Sequence, residues 1–175
     1  MDLDKLVEGW INLALSDLKV ASELNVYSYR GAIVFHLQQC VEKLLKGIIV
    51  ALGFEPPRTH FPSKKIEEIL LEVELEKLSV ELSDRCRSLL ESIINVAKSL
   101  EDEVTRPRYG VRHVDRIVLP DELYSIDTVR MFFDDVKFII EKTIEVFHEL
   151  DTCRRKPSIC ERLSEALSYE LREED

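Results

Sequence analysis

The stretch TRPRYGVRH brings four basic side chains into nine residues: Arg106, Arg108, Arg112 and His113. An arginine guanidinium carries a fork of N–H donors that matches the oxygens of a phosphate group. Tyr109, in the middle of the stretch, could stack on a nucleotide base or pack against the core. His113 could act as a general base if it lay close to a ribose hydroxyl. These residue types indicate phosphate binding or proton abstraction, and a solvated basic loop is the alternative.

A second set of candidate ligands lies on a predicted helix. Placing successive residues about 100° apart puts His36, Gln39, Lys43 and Lys46 in one narrow stripe, opposite a broad apolar arc. Two lysines, an amide and an imidazole on one face form a surface suited to phosphate. Glu42 lies beside the lysines and would neutralise part of their charge. A solvated face of a bundle helix explains the same pattern.

Two further polar residues stand out because of their neighbours. Asp17 falls within the apolar arc of the first predicted helix, where an unpaired carboxylate would be costly, so we expect an Arg or Lys partner. That pair would either fix helix packing or take part in catalysis. His60 follows a double proline and lies near Arg58. It could bind phosphate, act as an acid or base, or cap the next helix.

The composition limits the class of protein. The 175 residues are 45% hydrophobic and 33% charged, with a formal net charge of −10. A general electrostatic affinity for nucleic acid is therefore not expected, and any anion site must be local. No apolar run is long enough to span a membrane and no signal-peptide pattern occurs, so we expect a cytoplasmic protein without a membrane partner. Abundant Glu, Lys and Arg with five Asn and Gln suggest a thermophile.

The four cysteines show no metal-binding pattern along the chain. Cys40 and Cys86 fall inside apolar helical patterns, which favours small buried hydrophobes. Cys153 and Cys160 flank a proline in the tail and are candidates for a disulfide. No CxxC pair and no histidine at zinc-finger spacing occurs, so the sequence predicts neither a metal nor another cofactor.

Helical periodicity extends over most of the chain. Predicted helices cover approximately residues 3–24, 29–52, 63–74, 78–100 and 126–150. A long loop is expected at 102–124, because Pro107 and Gly110 disfavour regular helix and no useful β-type alternation appears. These patterns predict an all-α fold, an up-and-down antiparallel bundle of four to six helices. The bundle would occupy residues 1–150, followed by a polar tail or short helix at 151–175.

Three segments together resemble the HEPN (higher eukaryotes and prokaryotes nucleotide-binding) domain family: ALSDLKVASEL, YSYRGAIVFHLQQCVEKLLKGIIVALGFEPPRTH and TRPRYG. The run from Gln38 to Lys46, read as QQ-small-x-E-K-x-x-K, is the most specific match. The other matches follow in the family's order, namely Ala14-x-x-Asp17-Leu18-x-x-Ala21, Tyr29-x-x-Ala32, Gly53 and His60. The resemblance covers roughly residues 3–150.

The resemblance implies a helical bundle, commonly a homodimer, that binds nucleotide or RNA. Many members are encoded beside, or fused to, a minimal nucleotidyltransferase; this chain lacks the Gly-Ser and paired-Asp signature of that domain, so such a partner would be a separate polypeptide. Together with the basic stripe, the matched residues predict a nucleotide-binding site of Lys43, Lys46, His60, Arg108 and Tyr109. The supporting residues would be Asp17, His36 and Gln39.

Some family members are toxin ribonucleases with an R-x(4–6)-H motif, and both Arg108-x4-His113 and Arg106-x6-His113 fit that spacing. Asp115 replaces the tyrosine that often follows, and the Arg-Tyr pair resembles a branch of the family that lacks the catalytic histidine. The favoured function is therefore phosphate binding in a toxin–antitoxin-like pair, without enzymatic activity. The alternatives are a metal-independent ribonuclease using Arg108 and His113, and a purely structural dimeric partner module.

Overall fold

The computed structural model describes residues 2–78 and 80–173. Its elements are α1 (Leu3–Glu23), α2 (Arg30–Ala51), α3 (Pro62–Glu74), α4 (Asp84–Glu101), α5 (Arg106–Tyr109), β1 (Val111–His113), β2 (Arg116–Val118), α6 (Pro120–Leu123), α7 (Ile126–Glu149), α8 (Thr152–Arg155) and α9 (Pro157–Ala166). The predicted all-α bundle is confirmed. Ser79, inside the predicted fourth helix, and Glu174 and Asp175, at the end of the predicted tail, lie outside the described residues.

Helix α2 lies at the centre of the bundle and packs against α1, α3, α4 and α7. Its apolar side chains, including Ile33, Leu37, Leu44 and Ile48, are fully buried, as the predicted arc requires. Gly47 faces α1, where an added Cβ would lie 3.1 Å from Ile11 Cδ1. The close approach of α1 and α2 explains how side chains from the two helices can meet.

Helix α1 has a narrower buried face than the sequence suggests. Its buried residues are Val7, Ile11, Ala14, Leu18 and Ala21. Leu13, an apolar residue of the same helix, is 52% exposed. It belongs instead to an exposed apolar row that also contains Leu6, seven residues before it, and Val20, seven residues after it. Because two adjacent faces of α1 are apolar, periodicity alone does not identify the face that packs.

Helix α4 begins at Asp84, later than the predicted start near residue 78. The Ser83 side chain accepts a hydrogen bond from the backbone N–H of Cys86 at 3.0 Å, which satisfies a free donor of the first turn. Ser83 also donates to Glu149 at the end of α7. The cap therefore determines where this helix begins.

The segment predicted as a loop contains regular structure. Pro107 lies at the start of the single helical turn α5. Proline is tolerated there because the backbone N–H groups of a first turn have no partner within the helix. Gly110 ends that turn with φ +68° and ψ −164°, a conformation almost confined to glycine. Strands β1 and β2 then form an antiparallel hairpin that pairs Val111 with Val118. The loop prediction was wrong because three-residue strands are too short to show alternation.

The C-terminal helices α8 and α9 fold back onto α1 and α7. Ile159, Leu163 and Ala166 of α9 are buried in the common core. A disulfide joins Cys153 to Cys160, the pairing considered from the sequence, whereas Cys40 and Cys86 are free and buried. Across residues 2–78 and 80–173, no helix combines the length and apolar character needed to cross a membrane.

Candidate functional site

The first polar cluster joins α1 to α2 through Asp17. One carboxylate oxygen of Asp17 contacts His36 Nδ1 at 2.9 Å, and the other accepts a hydrogen bond from Lys43 Nζ. The Asp17 side chain is 13% exposed, and His36 and Lys43 are partly buried. The expected cationic partner of Asp17 is thus Lys43, with His36 as a second ligand of the same carboxylate.

The second cluster repeats this arrangement around Glu42. Lys46 Nζ donates to one carboxylate oxygen at 2.7 Å, and His60 Nδ1 contacts the other at 2.8 Å. Lys46 is buried and lies over the ring of Trp10, with Nζ 5.5 Å from the centroid. Each cluster therefore consists of one carboxylate, one lysine and one histidine. In each cluster, the positive charge of the lysine cancels the negative charge of the carboxylate.

The electrostatics of the two carboxylates follow from these contacts. Burial raises the pKa of Asp17, but the hydrogen bonds from His36 and Lys43 outweigh it, and the pKa lies below its usual range. Burial likewise raises the pKa of Glu42, and hydrogen bonds from Lys46 and His60 bring it below the ordinary value. Both carboxylates are therefore ionised at neutral pH.

Arg108 lies beside the first cluster. Its guanidinium carbon is 5.0 Å from the centroid of Phe35 and 5.8 Å from that of Tyr109. The Phe35 ring in turn meets His36 edge-on, with centroids 5.1 Å apart. Phe35 therefore links Arg108 to the histidine that Asp17 holds.

The position of Arg108 depends on a network that ties its segment to α2. Arg30 donates to the Asp121 carbonyl through Nε at 3.0 Å and Nη2 at 2.7 Å, and the Asp121 carboxylate accepts from the Gly31 N–H at 2.7 Å. Buried Glu103 accepts from Tyr124 Oη at 2.6 Å and from Arg106. Arg106 is thus occupied in an ion pair, whereas Arg108 forms none with the residues that the structure describes.

The sequence matches the HEPN domain over residues 7–152. The chain belongs to the HEPN family. It is also similar to a protein of Methanocaldococcus jannaschii named "Putative toxin MJ1304", with 27% identity over 137 residues, which are 78% of this chain and 85% of that protein. No solved structure matches the chain significantly.

This HEPN chain brings some of the sequence-predicted site residues together and leaves others apart. Asp17, His36 and Lys43 form one cluster, Lys46 and His60 share another through Glu42, and Gln39 donates weakly to Glu42 at 3.4 Å. Arg108 lies over the rings of Tyr109 and Phe35, and Phe35 precedes His36 of the first cluster. The predicted stripe on α2 is thus a row of paired charges, with Lys46 buried.

His113 lies elsewhere, in the exposed hairpin. It is in strand β1, opposite Arg116 of β2, and is solvent-exposed. Among residues 2–78 and 80–173, no hydrogen bond, ion pair or ring contact joins it to Arg108 or Lys43. The histidine connected to Arg108 is His36, because the Phe35 ring contacts both side chains.

The HEPN surface around Arg108 combines groups that suit a nucleotide. The guanidinium uses Nε and Nη2 to donate to the Val104 carbonyl, which leaves Nη1 for a ligand. Tyr109 is 70% exposed and offers an aromatic face for stacking. His36, held through Nδ1, directs Nε2 away from Asp17. Sequence reasoning missed Phe35, because a single aromatic next to His36 carries no periodic signal.

Proposed function

We propose that this HEPN protein binds a nucleotide or an RNA phosphate through the surface formed by Arg108, Tyr109, Phe35 and His36. The observation that carries the proposal is the position of Arg108, which lies on Phe35 beside the Asp17–His36–Lys43 cluster. Arg108 would bind the phosphate and Tyr109 would stack on the base. Lys43 and Asp17 would act indirectly by orienting His36.

The charge distribution favours anion binding at this surface and not along the α2 stripe. Lys43 and Lys46 each donate to a carboxylate, so neither offers an unbalanced positive charge. The Arg108 guanidinium donates to a backbone carbonyl, which carries no formal charge. In a protein of net charge −10, this local excess of positive charge favours an anion.

We also propose that the protein acts with a separate minimal nucleotidyltransferase, in a toxin–antitoxin-like pair. The similarity to a protein named as a toxin supports this idea. A homodimer forms part of the same proposal, since Leu6, Leu13 and Val20 recur every seven residues as an exposed apolar row on α1. Sedimentation of the wild type and of Leu13→Lys tests it, with a shift from dimer to monomer expected.

The binding proposal is tested by calorimetric titration with ATP, GTP and a short RNA. Arg108→Ala should weaken binding by about tenfold or more, the loss expected for one charge-assisted hydrogen bond. Arg112→Ala, an exposed arginine of the same segment, is the matched control and should bind nearly as the wild type does. Absence of binding by the folded wild type would overturn the proposal and favour a purely structural dimeric module.

The ribonuclease alternative is favoured by one observation: Phe35 contacts both Arg108 and His36, and Asp17 holds that histidine. Nε2 of His36 would take the 2′-hydroxyl proton and the 2′-oxygen would attack phosphorus. The bond from phosphorus to the 5′-oxygen would break, and that oxygen would take a proton from water, giving a cyclic phosphate and a 5′-hydroxyl. Arg108 would stabilise the charge on the phosphate. RNA cleavage in EDTA that is lost in Arg108→Ala and His36→Ala supports this site. Loss in Arg108→Ala and His113→Ala, with His36→Ala still active, would instead support the Arg108–His113 motif.

A further inference from the structure

Three side chains with metal-binding atoms converge where α7, α8 and α9 meet. His148 lies near the end of α7, Cys153 in α8 and Cys160 in α9. Their ligand atoms all lie within 4.8 Å of one another. The two cysteines are buried and joined as a disulfide, and His148 is exposed. The cluster is separate from the proposed binding surface on α2.

We propose that this corner of the bundle, formed by His148, Cys153 and Cys160, binds one Zn²⁺ when the disulfide is reduced. Two thiolates and an imidazole, with water as the fourth ligand, form a recognised tetrahedral zinc site. Zn–S bonds of about 2.3 Å would hold the two sulfurs roughly 3.8 Å apart. The Cα atoms of Cys153 and Cys160 are 5.6 Å apart, so small side-chain movements reach that geometry. Exposure of His148 leaves a path for the ion.

The disulfide and the metal site exclude each other because both use the same sulfurs. Reduction by a dithiol transfers two electrons and two protons to the Cys153–Cys160 bond, and the dithiol becomes a disulfide. Binding of Zn²⁺ then releases the two thiol protons, since only thiolates coordinate the ion. Re-oxidation to the disulfide, in which an oxidant accepts the two electrons, releases the ion.

The state of this corner is coupled to the position of α1. Arg155 and Lys156, between the two cysteines, pair with Asp4 and Glu8 of α1 at 3.0 and 2.6 Å. Both the disulfide and a bound ion would hold α8 and α9 in place for these contacts. The reduced, metal-free corner would hold them less firmly. Redox state and zinc would therefore jointly control how tightly the C-terminal helices are attached.

Co²⁺ is a suitable probe because thiolate coordination gives it a charge-transfer absorption. Protein reduced with dithiothreitol and desalted anaerobically should bind one equivalent of Co²⁺ with that absorption, and Zn²⁺ should displace it. The oxidised protein should show none. Cys160→Ser should lose the absorption. Cys86→Ser is the matched control, because Cys86 is also buried but lies outside the cluster, and it should retain the absorption.

Three results would overturn the proposal. The first is the absence of the charge-transfer absorption in the reduced protein. Circular dichroism must show that this protein is folded, and thiol titration must show four free cysteines. The second is an unchanged spectrum in Cys160→Ser. The third concerns His148→Ala, which should weaken Zn²⁺ affinity by about 100-fold or more, because losing a direct ligand should cost at least as much as losing an outer-shell partner. Unchanged affinity there would remove His148 as a ligand.

Discussion

The two carboxylate clusters of α2 and the arginine segment at 105–113 contain the same kinds of basic side chain in opposite environments. In the clusters, Lys43 and Lys46 donate to carboxylates whose side chains are 13% and 8% exposed. In the segment, Arg108 donates to a carbonyl and rests on aromatic rings at the surface. The cations of the clusters therefore stabilise the bundle, whereas Arg108 forms no ion pair within residues 2–78 and 80–173 and is the proposed ligand-binding residue.

The physical reason is the cost of removing a charge from water. A half-buried cation must have an anionic partner, and the pair is then strongly coupled to folding. An exposed arginine keeps most of its hydration and needs no such partner. Substitutions in the clusters should accordingly change the free energy of unfolding, and those in the segment should change binding.

Glu42→Ala should have the largest effect on stability. It removes the partner of buried Lys46 and of His60, which should cost about 3–5 kcal/mol in the free energy of unfolding measured with denaturant. The matched control is Glu67→Ala, because Glu67 also pairs with a lysine but is 44% exposed, and its cost should be about 0–1 kcal/mol. Equal effects would contradict the contrast between buried and exposed pairs.

Asp17→Ala should have the next largest effect. It leaves Lys43 and His36 without their shared carboxylate, and the expected loss is about 2 kcal/mol. Glu68→Ala, which breaks the exposed pair with Lys65, serves as the control and should change stability little. If Asp17→Ala had the same free energy of unfolding as the wild type, this cluster would not contribute to the stability of the fold.

The same residue predicts a pH dependence. The pKa of Asp17 is lower in the folded protein than its ordinary 3.8, so its carboxylate stabilises the fold fully above that value. The stabilisation should disappear as pH falls through the lowered folded pKa. The difference in unfolding free energy between wild type and Asp17→Asn should stay constant from pH 7 to about 5 and shrink below about 4. A difference that grew on acidification would have the wrong sign.

Gly110→Ala tests whether the geometry of the arginine segment matters. An added Cβ would lie 2.1 Å from the Val118 carbonyl oxygen, in a backbone conformation with φ +68°. We expect a loss of about 1–2 kcal/mol as the hairpin opens, together with weaker nucleotide binding. Gly53→Ala, also at positive φ but with open space around it, separates backbone strain from the clash. Unchanged binding in Gly110→Ala would show that the turn does not position Arg108.

Arg108→Ala should have the smallest effect on stability. Its side chain is exposed and forms no ion pair in the described part of the chain, so unfolding should change by less than about 0.5 kcal/mol. Binding of nucleotide should nevertheless fall, as proposed above. A large loss of stability would mean that stacking on Phe35 supports the fold, and would weaken the contrast between the two regions.

Much of the fold could be predicted from helical periodicity, because most segments have one clear apolar face. Segments without such a face were predicted less well. The start of α4 depends on the Ser83 cap, and the hairpin after Gly110 depends on three-residue strands. At the site, a basic partner for Asp17 was expected. The burial of Lys46 under Trp10 was not, because placing residues around a single helix takes no account of the helices packed against it.

The sequence by itself determined that the chain is helical and that the run from Gln38 to Lys46 carries a HEPN-like pattern, because both are local properties. Only the tertiary structure decided which charges are cancelled and which remain. Lys43 meets Asp17 from 26 residues away, and Arg108 reaches Phe35 through the folding of its segment onto α2. Such contacts depend on how helices pack, and spacing along the chain does not encode them.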